Sequence, residues 1–486
     1  MIKQIIDKNL CTGCGACVSS CPCNAITMKC DVEGFQYPVI DNEKCIDCDF
    51  CTDICKSRRV YKPNTKATFI VESKDEAMRM GSSSGGAFGE LAQFIIKQGG
   101  VVIGAAFDDE LQVKHVAVEN MNHLHRLRGS KYVQSSAEQV YPRVEELLKD
   151  NRTVLFSGTP CQVAGLRAFL RMDYDNLFLV DIICQGVPGA NIWKQYLELK
   201  QSESKIMHVN FRDKSEGWNQ LNISYEYENG KRTIVSFDDD CYMRGFEETE
   251  ILRPSCYNCS FRGLNNCSDI TLGDCWSYEK LVGKLSDEKG ASVCLINSEK
   301  GKEMFDKISP SLKIIKSLDA KELRPYNKNL FVNPLYSGKR QEFLNLFSVQ
   351  EYEKAFSLLM KQDRNKKYVE VLYSWLGKEI KDSQYISDKI ISLGYRNIAI
   401  YGMGILGNYL WEKLHSCSEI TVVYCIDSER KENSPIPIVE SKKLNEEMLK
   451  GIDVIIVTPI HVKYGIINSL SQYYKGDIIS LEDIFR

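Results

Sequence analysis

The sequence has no apolar run long enough to cross a membrane bilayer, and its first residues, MIKQIIDKNLCTGCGAC, lack the apolar stretch of a secretion signal. It also lacks a strong charge of either sign, because 62 lysines and arginines nearly balance 65 aspartates and glutamates. This balance gives no reason to expect a nucleic acid or an acidic membrane surface as a partner. We therefore expect a cytoplasmic protein without a membrane span, and its 486 residues predict more than one domain.

Cysteine is the residue that the sequence has in excess, with twenty in all. Most of them lie in three runs, at 11–30, 45–55 and 256–275, while Cys161 and Cys184 stand apart. Small secreted domains use many cysteines as disulfides, but this chain is long and shows no export signal. Clustered cysteines in a reducing compartment favour metal sites.

Two N-terminal runs repeat one spacing. CTGCGACVSSCP at 11–22 and CIDCDFCTDIC at 45–55 match the bacterial ferredoxin pattern, in which the fourth cysteine of each run ligates the other cluster. Gly13 and Gly15 let the first loop wrap closely around a cubane. Zinc also binds CxxC pairs, but two complete runs favour two [4Fe–4S] clusters. One cluster is predicted to use Cys11, Cys14, Cys17 and Cys55, and the other Cys45, Cys48, Cys51 and Cys21.

Three residues near these runs fall outside the ligand pattern. Lys56 stands where proline usually follows the fourth cysteine, a change that removes no ligand. Cys23 and Cys30 are interpreted as ordinary, partly buried thiols.

The central region turns to an α/β pattern after a polar stretch near 62–66. GSSSGGAFG at 81–89 runs into ELAQFIIKQ, whose apolar residues recur at helical spacing, and GVVIGAAF at 100–107 reads as a strand. A serine- and glycine-rich loop before a helix can hold a phosphate on its free N–H groups. A plain flexible loop is the alternative.

Cysteines follow two further predicted strands. TVLF at 153–156 leads to Cys161 and LFLVDII at 177–183 leads to Cys184, so both should lie beyond strand carboxyl ends, where open α/β sheets bind ligands. Cys256 and Cys259 form a CxxC pair, which alone admits redox, zinc or cluster roles. Together these four thiolates could form a third [4Fe–4S] site.

The ordered motifs of the chain resemble those of a known family. GSSSGGAFG, RGSKYVQS, FSGTPCQVAGLR, DIICQGVP, NFRDKSEGW, CYNC and SDITLGDCW look like the family of beta subunits of coenzyme F420 hydrogenases and dehydrogenases, over about residues 1–335. The resemblance implies a domain that binds FAD and a [4Fe–4S] cluster. It also implies electron transfer between a hydride carrier and one-electron centres, which a flavin can join because it exchanges electrons in pairs or singly.

The resemblance also implies the residues of these sites. The cluster ligands would be Cys161, Cys184, Cys256 and Cys259, with Cys267 and Cys275 as alternative ligands. The candidate flavin-site residues are Ser83, Ser84, Gly85, Gly86, Ser130, Lys131 and Tyr132. Lys131 and Arg212 are candidates to face an anionic flavin or a phosphate, and a solvated surface charge is the alternative for Arg212.

The last third of the chain has a different pattern. Gly402, Gly404 and Gly407 follow the strand NIAIY and open a helix, and Asp427 ends the next strand, as in dinucleotide-binding folds. The unit resembles small Rossmann-like domains attached to sugar- and polysaccharide-modifying enzymes. Either these four residues bind a nucleotide, or the glycines serve packing alone. His461 is interpreted as a loop residue.

These patterns predict an α/β multidomain protein. It comprises a bacterial-type double-cluster ferredoxin fold at 1–62, a central α/β flavin- and cluster-binding domain at 63–338, a helical linker at 339–390 and a small Rossmann-like parallel sheet at 391–486. The favoured function is an FAD-dependent oxidoreductase that acts on a deazaflavin-like or a biosynthetic, glycan-related small molecule. A ferredoxin or another redox protein would be its partner. The alternatives are an electron-carrier subunit without its own substrate site, and a nucleotide- or sugar-linked binding protein whose clusters act as a sensor.

Overall fold

The computed structural model of the chain describes residues 7–57, 65–201, 204–264, 267–283, 287–336, 338–360, 375, 377, 382–427, 438–445, 447–459, 463–471 and 474–484. The chain divides into two compact units, Met1–Met360 and Lys361–Arg486. His461 lies outside the described residues. No helix in the described part of the chain is long and apolar enough to span a membrane.

The first unit contains thirteen strands and thirteen α-helices among its described residues. The strands β1 to β13 are Ile26–Cys30, Gln36–Ile40, Ala67–Ser73, Val101–Phe107, Val113–Val118, Val154–Gly158, Leu177–Ile182, Ile206–Asp213, Asn222–Tyr227, Arg232–Ser236, Ile270–Asp274, Ser292–Ile296 and Leu312–Leu318. The helices α1 to α13 are Ala16–Ser19, Phe50–Ser57, Glu76–Met80, Ala87–Lys97, Val140–Lys149, Pro160–Leu170, Ala190–Lys200, Cys241–Glu247, Tyr278–Leu281, Glu299–Ile308, Lys328–Phe331, Arg340–Ser348 and Tyr352–Met360. Short 3-10 helices cover Met121–Arg126, Trp218–Gln220, Pro254–Asn258, Ser309–Ser311 and Ala320–Leu323.

The N-terminal module has the ferredoxin-like form that its repeated cysteine runs predict. β1 and β2 make an antiparallel hairpin, and α1 and α2 each follow a cysteine-rich loop. Both helices contact α6 of the central region. Cys14, Ala16 and Ile54 belong to the same apolar core as Tyr141 and Val163 of the central region. The module is therefore packed into the first unit and shares a core with it.

An eight-stranded mixed sheet carries the central region, in the order β13-β3-β12-β11-β7-β6-β4-β5. Its middle strands β4, β6, β7 and β11 run parallel. The predicted strands at 100–107, 153–156 and 177–183 are present as β4, β6 and β7. Val154, Leu155 and Phe156 of β6 are fully buried, as expected for a parallel strand covered on both faces. The parallel strands bring their carboxyl ends to one edge of the sheet.

A second core of the first unit lies beside the antiparallel sheet β10-β9-β8. Helices α12 and α13 pack into it through Phe343, Phe347 and Phe356, which are all buried. These helices lie within the segment predicted as a linker, 339–390. Trp375 and Ile386, from the second half of that segment, belong instead to the core of the second unit. The segment is thus divided between the two units.

The second unit is a parallel α/β layer structure. Its strands β14 to β18 are Asn397–Tyr401, Thr421–Asp427, Ile438–Glu440, Val454–Val457 and Asp477–Ser480, and its helices α14 to α17 are Tyr385–Ser392, Ile405–Leu414, Lys463–Leu470 and Leu481–Ile484. One 3-10 helix covers Ser441–Lys443. The sheet order is β16-β15-β14-β17-β18, and every pair is parallel. The central strand β14 buries Ile398, Ala399 and Ile400 completely, as expected for a parallel strand covered on both faces.

Candidate functional site

Four predicted ligands of the N-terminal module line one small cavity of about 30 Å³. They are Cys21, Cys45, Cys48 and Cys51, so the crossed set predicted from the spacing is brought together. Cys48 is exposed and Cys45 is partly exposed, which puts this outer cysteine set at the molecular surface. Cys23 lines the same cavity, although it lies outside the ferredoxin spacing. Cys30, interpreted as partly buried, is exposed on β1.

The inner cysteine set is Cys11, Cys14, Cys17 and Cys55. Cys11 and Cys14 are buried, in contrast to Cys45 and Cys48 of the outer set. Gly13 and Gly15 adopt left-handed backbone angles, with φ of 65° and 79°, which an L side chain would strain. A Cβ on Gly15 would also lie 2.6 Å from the Glu138 Cβ. The loop can therefore wrap tightly and still press against the central region.

Arg253 links this inner loop to the central region. Its side chain is fully buried, and Nε donates to the carbonyl oxygen of Cys11 at 2.7 Å. Its Nη atoms donate to the Gln134 Oε1 at 2.9 Å and to the Gln36 carbonyl oxygen at 2.8 Å. Nη2 also lies 3.6 Å from the Cys11 Sγ. These acceptors are neutral, and a buried charge is costly unless an opposite charge compensates it, so an anionic cluster fits here.

A third cysteine set lines a cavity of about 50 Å³ at the carboxyl edge of the eight-stranded sheet. Cys161 and Cys184 follow β6 and β7, and Cys256 and Cys259 come from the short helix Pro254–Asn258 and the residue after it. The structure thus brings together the four thiols that the motifs implied as ligands of a third cluster.

The start of α6 fixes the position of Cys161. Thr159 caps the helix, and Gln162 completes a capping box by accepting from the Thr159 N–H at 3.0 Å. Pro160 suits the first turn because a helix leaves that N–H without a partner. The Thr159 Oγ1 lies 3.1 Å from the Cys161 Sγ. The thiol is therefore held at a rigid helix N-terminus that faces the cavity.

Burial disfavours ionisation of these thiols. It raises the pKa of Cys161 to about 12, and it raises the pKa values of Cys184 and Cys256 as well. The cationic Arg262 also lines this cavity and lowers the pKa values of Cys184 and Cys256. Iron ligation requires thiolates, so the charge of a bound cluster would offset the cost of deprotonation. Among the described residues, no group of three or more His, Cys, Asp or Glu side chains is arranged to hold a single metal ion.

The two alternative ligands do not line this cavity. Cys267 is buried, and its thiol donates to the Pro160 carbonyl oxygen at 3.6 Å. Cys275 is fully buried in an apolar cluster with Leu281 and Val293. Both positions are typical of packing cysteines.

A larger cavity, of about 280 Å³, opens at the same edge of the sheet. Six of the predicted flavin-site residues line it, namely Ser83, Ser84, Gly86, Ser130, Lys131 and Tyr132. Gly85 does not line it. Its N–H donates to the Ser292 Oγ at 2.9 Å, and an added Cβ would lie 2.5 Å from the Ser292 backbone nitrogen. Gly85 therefore allows close backbone packing of the serine loop (residues 82–86) against β12.

Lys214 holds the serine loop from behind. Its buried ammonium group donates to the carbonyl oxygens of Arg79, Ser84 and Lys289 at 2.9, 2.7 and 2.7 Å. Burial lowers the pKa of Lys214 to about 7. A lysine in this position ties three separate backbone segments together.

The serine loop also contacts the second predicted flavin-site segment. The Ser130 N–H donates to the Ser83 Oγ at 2.7 Å, and the Trp218 Nε1 donates to the Ser83 carbonyl oxygen at 3.1 Å. The Lys131 Nζ donates to two backbone carbonyl oxygens of the preceding turn, 2.8 and 2.9 Å away. Burial lowers the pKa of Lys131 to about 7. The two segments form one polar wall of the large cavity.

Arg212 is only 4% exposed, so its interpretation as a solvated surface charge is wrong. Its Nη1 donates to the Asp274 Oδ2 at 2.9 Å and to the Tyr132 Oη at 3.3 Å. The guanidinium carbon lies 5.0 Å from the centroid of the Trp276 ring. Asp274, Tyr132 and Trp276 all line the large cavity. Arg212 thus orders a cavity wall from behind, with its charge paired to Asp274.

Sequence reasoning missed His115, which lines the large cavity from β5. Its Nε2 donates to the Ser157 carbonyl oxygen at 3.0 Å, so its Nδ1 accepts from the Ser135 Oγ at 3.1 Å. Gln162 Nε2 in turn donates to the Ser135 Oγ at 2.9 Å. Burial lowers the pKa of His115 to about 4, so the ring is neutral at pH 7. A single histidine in a strand carries no motif that could have revealed this role.

Two of the cavities share part of their lining, and the inner cysteine loop lies next to them. Cys161 and Cys184 line both the 50 Å³ and the 280 Å³ cavity, and Thr12, next to Cys11, also lines both. One helical turn beyond Cys161 on α6, a Cβ on Gly165 would lie 3.0 Å from the Cys14 Sγ. The large cavity, the third cysteine set and the loop of the inner set are therefore neighbours.

The glycine turn of the second unit packs tightly. A Cβ on Gly407 would lie 2.0 Å from the Gly402 carbonyl oxygen, so the third glycine is required for packing of α15 against the turn. Gly402 has a φ of 91°, and Gly404 faces open space. The Asp427 Oδ2 accepts from the Met403 N–H at 2.8 Å. These contacts favour the packing interpretation of the glycines, with Asp427 as a brace for their turn.

The fold and the cysteine sets define an iron–sulfur electron-transfer protein. Residues 151–319 match the family described as the C terminus of the beta subunit of coenzyme F420 hydrogenase/dehydrogenase, and residues 10–58 match the 4Fe-4S dicluster domain. The central region therefore carries the C-terminal part of this beta-subunit family, and the N-terminus carries a dicluster domain.

The chain is similar to several archaeal proteins. A subunit of the F(420)H(2) dehydrogenase of Methanosarcina mazei is 22% identical over 333 residues, which cover 65% of this chain and 86% of the relative. The coenzyme F420-dependent sulfite reductase of Methanocaldococcus jannaschii is 21% identical, over 68% of this chain and 51% of the relative. A chain of the F420-reducing [NiFe] hydrogenase complex from Methanosarcina barkeri is 17% identical, over 61% of this chain and 92% of that chain, with a TM-score of 0.38.

Proposed function

We propose that the chain is an FAD-dependent iron–sulfur oxidoreductase, which exchanges electrons between an organic hydride donor or acceptor and ferredoxin-type clusters. The observation that carries the proposal is the shared wall of the two cavities, formed in part by Cys161 and Cys184. A flavin held in the larger cavity would exchange electron pairs with the organic molecule and single electrons with the clusters.

The residues of the large cavity suit an anionic dinucleotide. The serine loop precedes α4, so its N–H groups and the helix dipole favour a phosphate. Lys131 adds a titratable cation on the same wall. The buried network of His115, Ser135 and Gln162 presents hydrogen-bonding groups of fixed direction to the cavity. Apolar and aromatic residues such as Phe246 and Trp276 complete the lining, as in many cofactor sites.

The substrate class is proposed from the relatives. Two of them are named for coenzyme F420, which supports a deazaflavin-like hydride carrier as the organic partner. A glycan-related biosynthetic intermediate is the other candidate. The exposed outer cysteine set suits electron exchange with a ferredoxin or another redox protein, because electron transfer requires close approach of the two centres. The chain would then work as one subunit of a redox complex.

The first test is the cofactor content of the anaerobically purified protein. Iron, acid-labile sulfide and flavin are measured together with the visible spectrum, after FAD has been supplied. About twelve irons and one FAD per chain are expected from three cubanes and a flavin. About eight irons without bound FAD would contradict the proposal and favour the electron-carrier alternative, which needs only the N-terminal module.

A further inference from the structure

The outer cysteine cavity has one thiol more than a cubane needs. A [4Fe–4S] cluster takes four cysteines, one for each iron. The cavity is lined by Cys21, Cys45, Cys48, Cys51 and also Cys23. The 4Fe-4S dicluster match over residues 10–58 supports a cluster in this cavity, and the inference below rests on that assignment.

Cys21 and Cys23 occupy almost the same position relative to the cavity. Their Sγ atoms are 3.7 Å apart, and only Pro22 separates the two residues in the chain. The Ala25 N–H donates to the Cys21 Sγ at 3.3 Å. Cys23 interacts with the backbone N–H of Ile46, on the facing loop that carries Cys45. Both sulfurs therefore face the loop of the second cysteine run.

The backbone beyond Cys23 keeps it in place. Asn24 has a left-handed φ of 51°, and the Asn24 N–H donates to the Cys21 carbonyl oxygen at 3.2 Å. Ala25 is buried and directly precedes the hairpin, whose first pair joins Ile26 to Ile40. Pro22 restricts φ at the link between the two thiols. The Cys21–Cys23 pair is thus a short, braced element with two thiols at one corner of the cavity.

We propose that Cys23 is an exchangeable ligand of the outer cluster, able to replace Cys21 at the same iron. In the exchange, the iron–sulfur bond to Cys21 breaks and one to Cys23 forms. The proton released by the Cys23 thiol passes to the departing Cys21 thiolate. Charge is conserved, and the step needs no oxidant or reductant. The outer set is the more exposed of the two N-terminal sets, so a second thiol preserves the cluster where solvent has most access.

The test compares four variants of the full chain, Cys21→Ala, Cys23→Ala, the double variant and Cys45→Ala. Each is purified anaerobically, its iron and sulfide are measured, and its reduced clusters are examined by electron paramagnetic resonance. Cys45 is the matched control. It lines the same cavity as a predicted ligand, and no second cysteine lies within two residues of it in the sequence. We expect both single variants at the pair to retain the iron of the wild type. The double variant and Cys45→Ala are expected to lose iron from this cluster.

Alkylation of the cluster-loaded protein identifies the ligand directly. In the wild type, Cys23 should react with iodoacetamide, as exposed Cys30 should. In Cys21→Ala, Cys23 should become protected while Cys30 still reacts, which mass spectrometry detects by peptide. A Cys21→Ala variant that loses as much iron as Cys45→Ala would overturn the proposal. So would a double variant that keeps its iron, or a Cys23 that stays reactive in Cys21→Ala. Signals of the remaining clusters show in each case that the chain has folded.

Discussion

The Nε of Arg253 donates to the carbonyl oxygen of Cys11 across 2.7 Å, which joins the loop of the inner cysteine set to the segment that carries Cys256. The guanidinium is fully buried and also packs 4.3 Å from the centroid of the Tyr37 ring. A buried cation beside Cys11 stabilises negative charge at the inner cluster. The reduced cluster carries one more negative charge than the oxidised one, so the contact favours reduction.

Replacement of Arg253 should therefore lower the reduction potential of the inner cluster. We expect a larger negative shift in Arg253→Gln than in Arg253→Lys, because lysine keeps the charge. The measurement is a redox titration followed by electron paramagnetic resonance. Arg340→Gln is the control, since Arg340 is also buried and donates to the carbonyl oxygen of Glu250 at 2.8 Å. An equal shift in Arg340→Gln would show that the effect is not specific to the Cys11 loop.

The third cysteine set gives a prediction of stoichiometry. Cys161→Ala should remove about four irons per chain and leave the N-terminal clusters in place. Cys294→Ala serves as the control, because Cys294 is a buried thiol of β12 that packs in the apolar core. The measurement is the iron and acid-labile sulfide content per chain of the two variants and the wild type. Unchanged iron in Cys161→Ala would identify Cys161 as a packing residue.

Lys214 predicts a positioning effect on flavin binding. Lys214→Met removes hydrogen bonds from a charged donor to three carbonyl oxygens, and such bonds contribute about 1.5–3 kcal/mol. If that energy orders the serine loop, FAD should bind about tenfold more weakly or worse, as measured by fluorescence titration. Lys313→Met is the control, since the Lys313 side chain is exposed and pairs with Glu72 at 3.4 Å. Equal affinities in the two variants would contradict the role of Lys214.

His115 predicts a dependence of stability on pH. Its pKa is about 4 in the folded chain and about 6.5 when unperturbed, so the unfolded state binds more protons between these values. The histidine therefore contributes about 3 kcal/mol to the free energy of unfolding above pH 6.5, and this contribution is lost as the pH falls toward 4. Burial raises the pKa of Asp181 to about 7. Its effect on the free energy of unfolding is therefore opposite to that of His115, over nearly the same pH range.

The comparison of His115→Gln with the wild type isolates the histidine, because both chains retain Asp181. We expect the free-energy difference between the two chains to shrink as the pH is lowered from 7 to 4. Denaturant unfolding at a series of pH values measures it. A difference that stays constant over this range would contradict a buried, neutral His115.

Asp427 predicts a structural effect in the second unit. Asp427→Ala removes the hydrogen bond from the Met403 N–H to a carboxylate, and a hydrogen bond to a charged group contributes about 1.5–3 kcal/mol. We expect a lower unfolding temperature for the second unit, observed by calorimetry of the full chain. If the variant instead kept its stability and lost affinity for an added nucleotide, the dinucleotide-binding interpretation would be favoured.

The sequence by itself determined the local features of this protein. The repeated cysteine spacing predicted Cys45, Cys48 and Cys51, because the spacing of ligands along one loop is a local property. The duplication of the run added Cys21 from the other loop. The strands that precede Cys161 and Cys184 were also predictable, because a buried parallel strand is a continuous apolar run. Capping residues such as Thr159 and Gln162 likewise act within a few positions of each other.

Only the tertiary structure decided which distant residues meet. Arg253 reaches Cys11 across 242 positions of sequence, and His115 meets Ser157 across 42, and neither contact has a periodicity or a motif. The burial of Arg212 could not be predicted from the sequence either. Arginine is usually exposed unless it is paired, and its partner Asp274 is distant in the sequence. The division of residues 339–390 between two cores depended on which core each apolar helix face packs against. Side-chain burial and long-range pairing arise from the packing of the whole chain, and a local pattern does not record them.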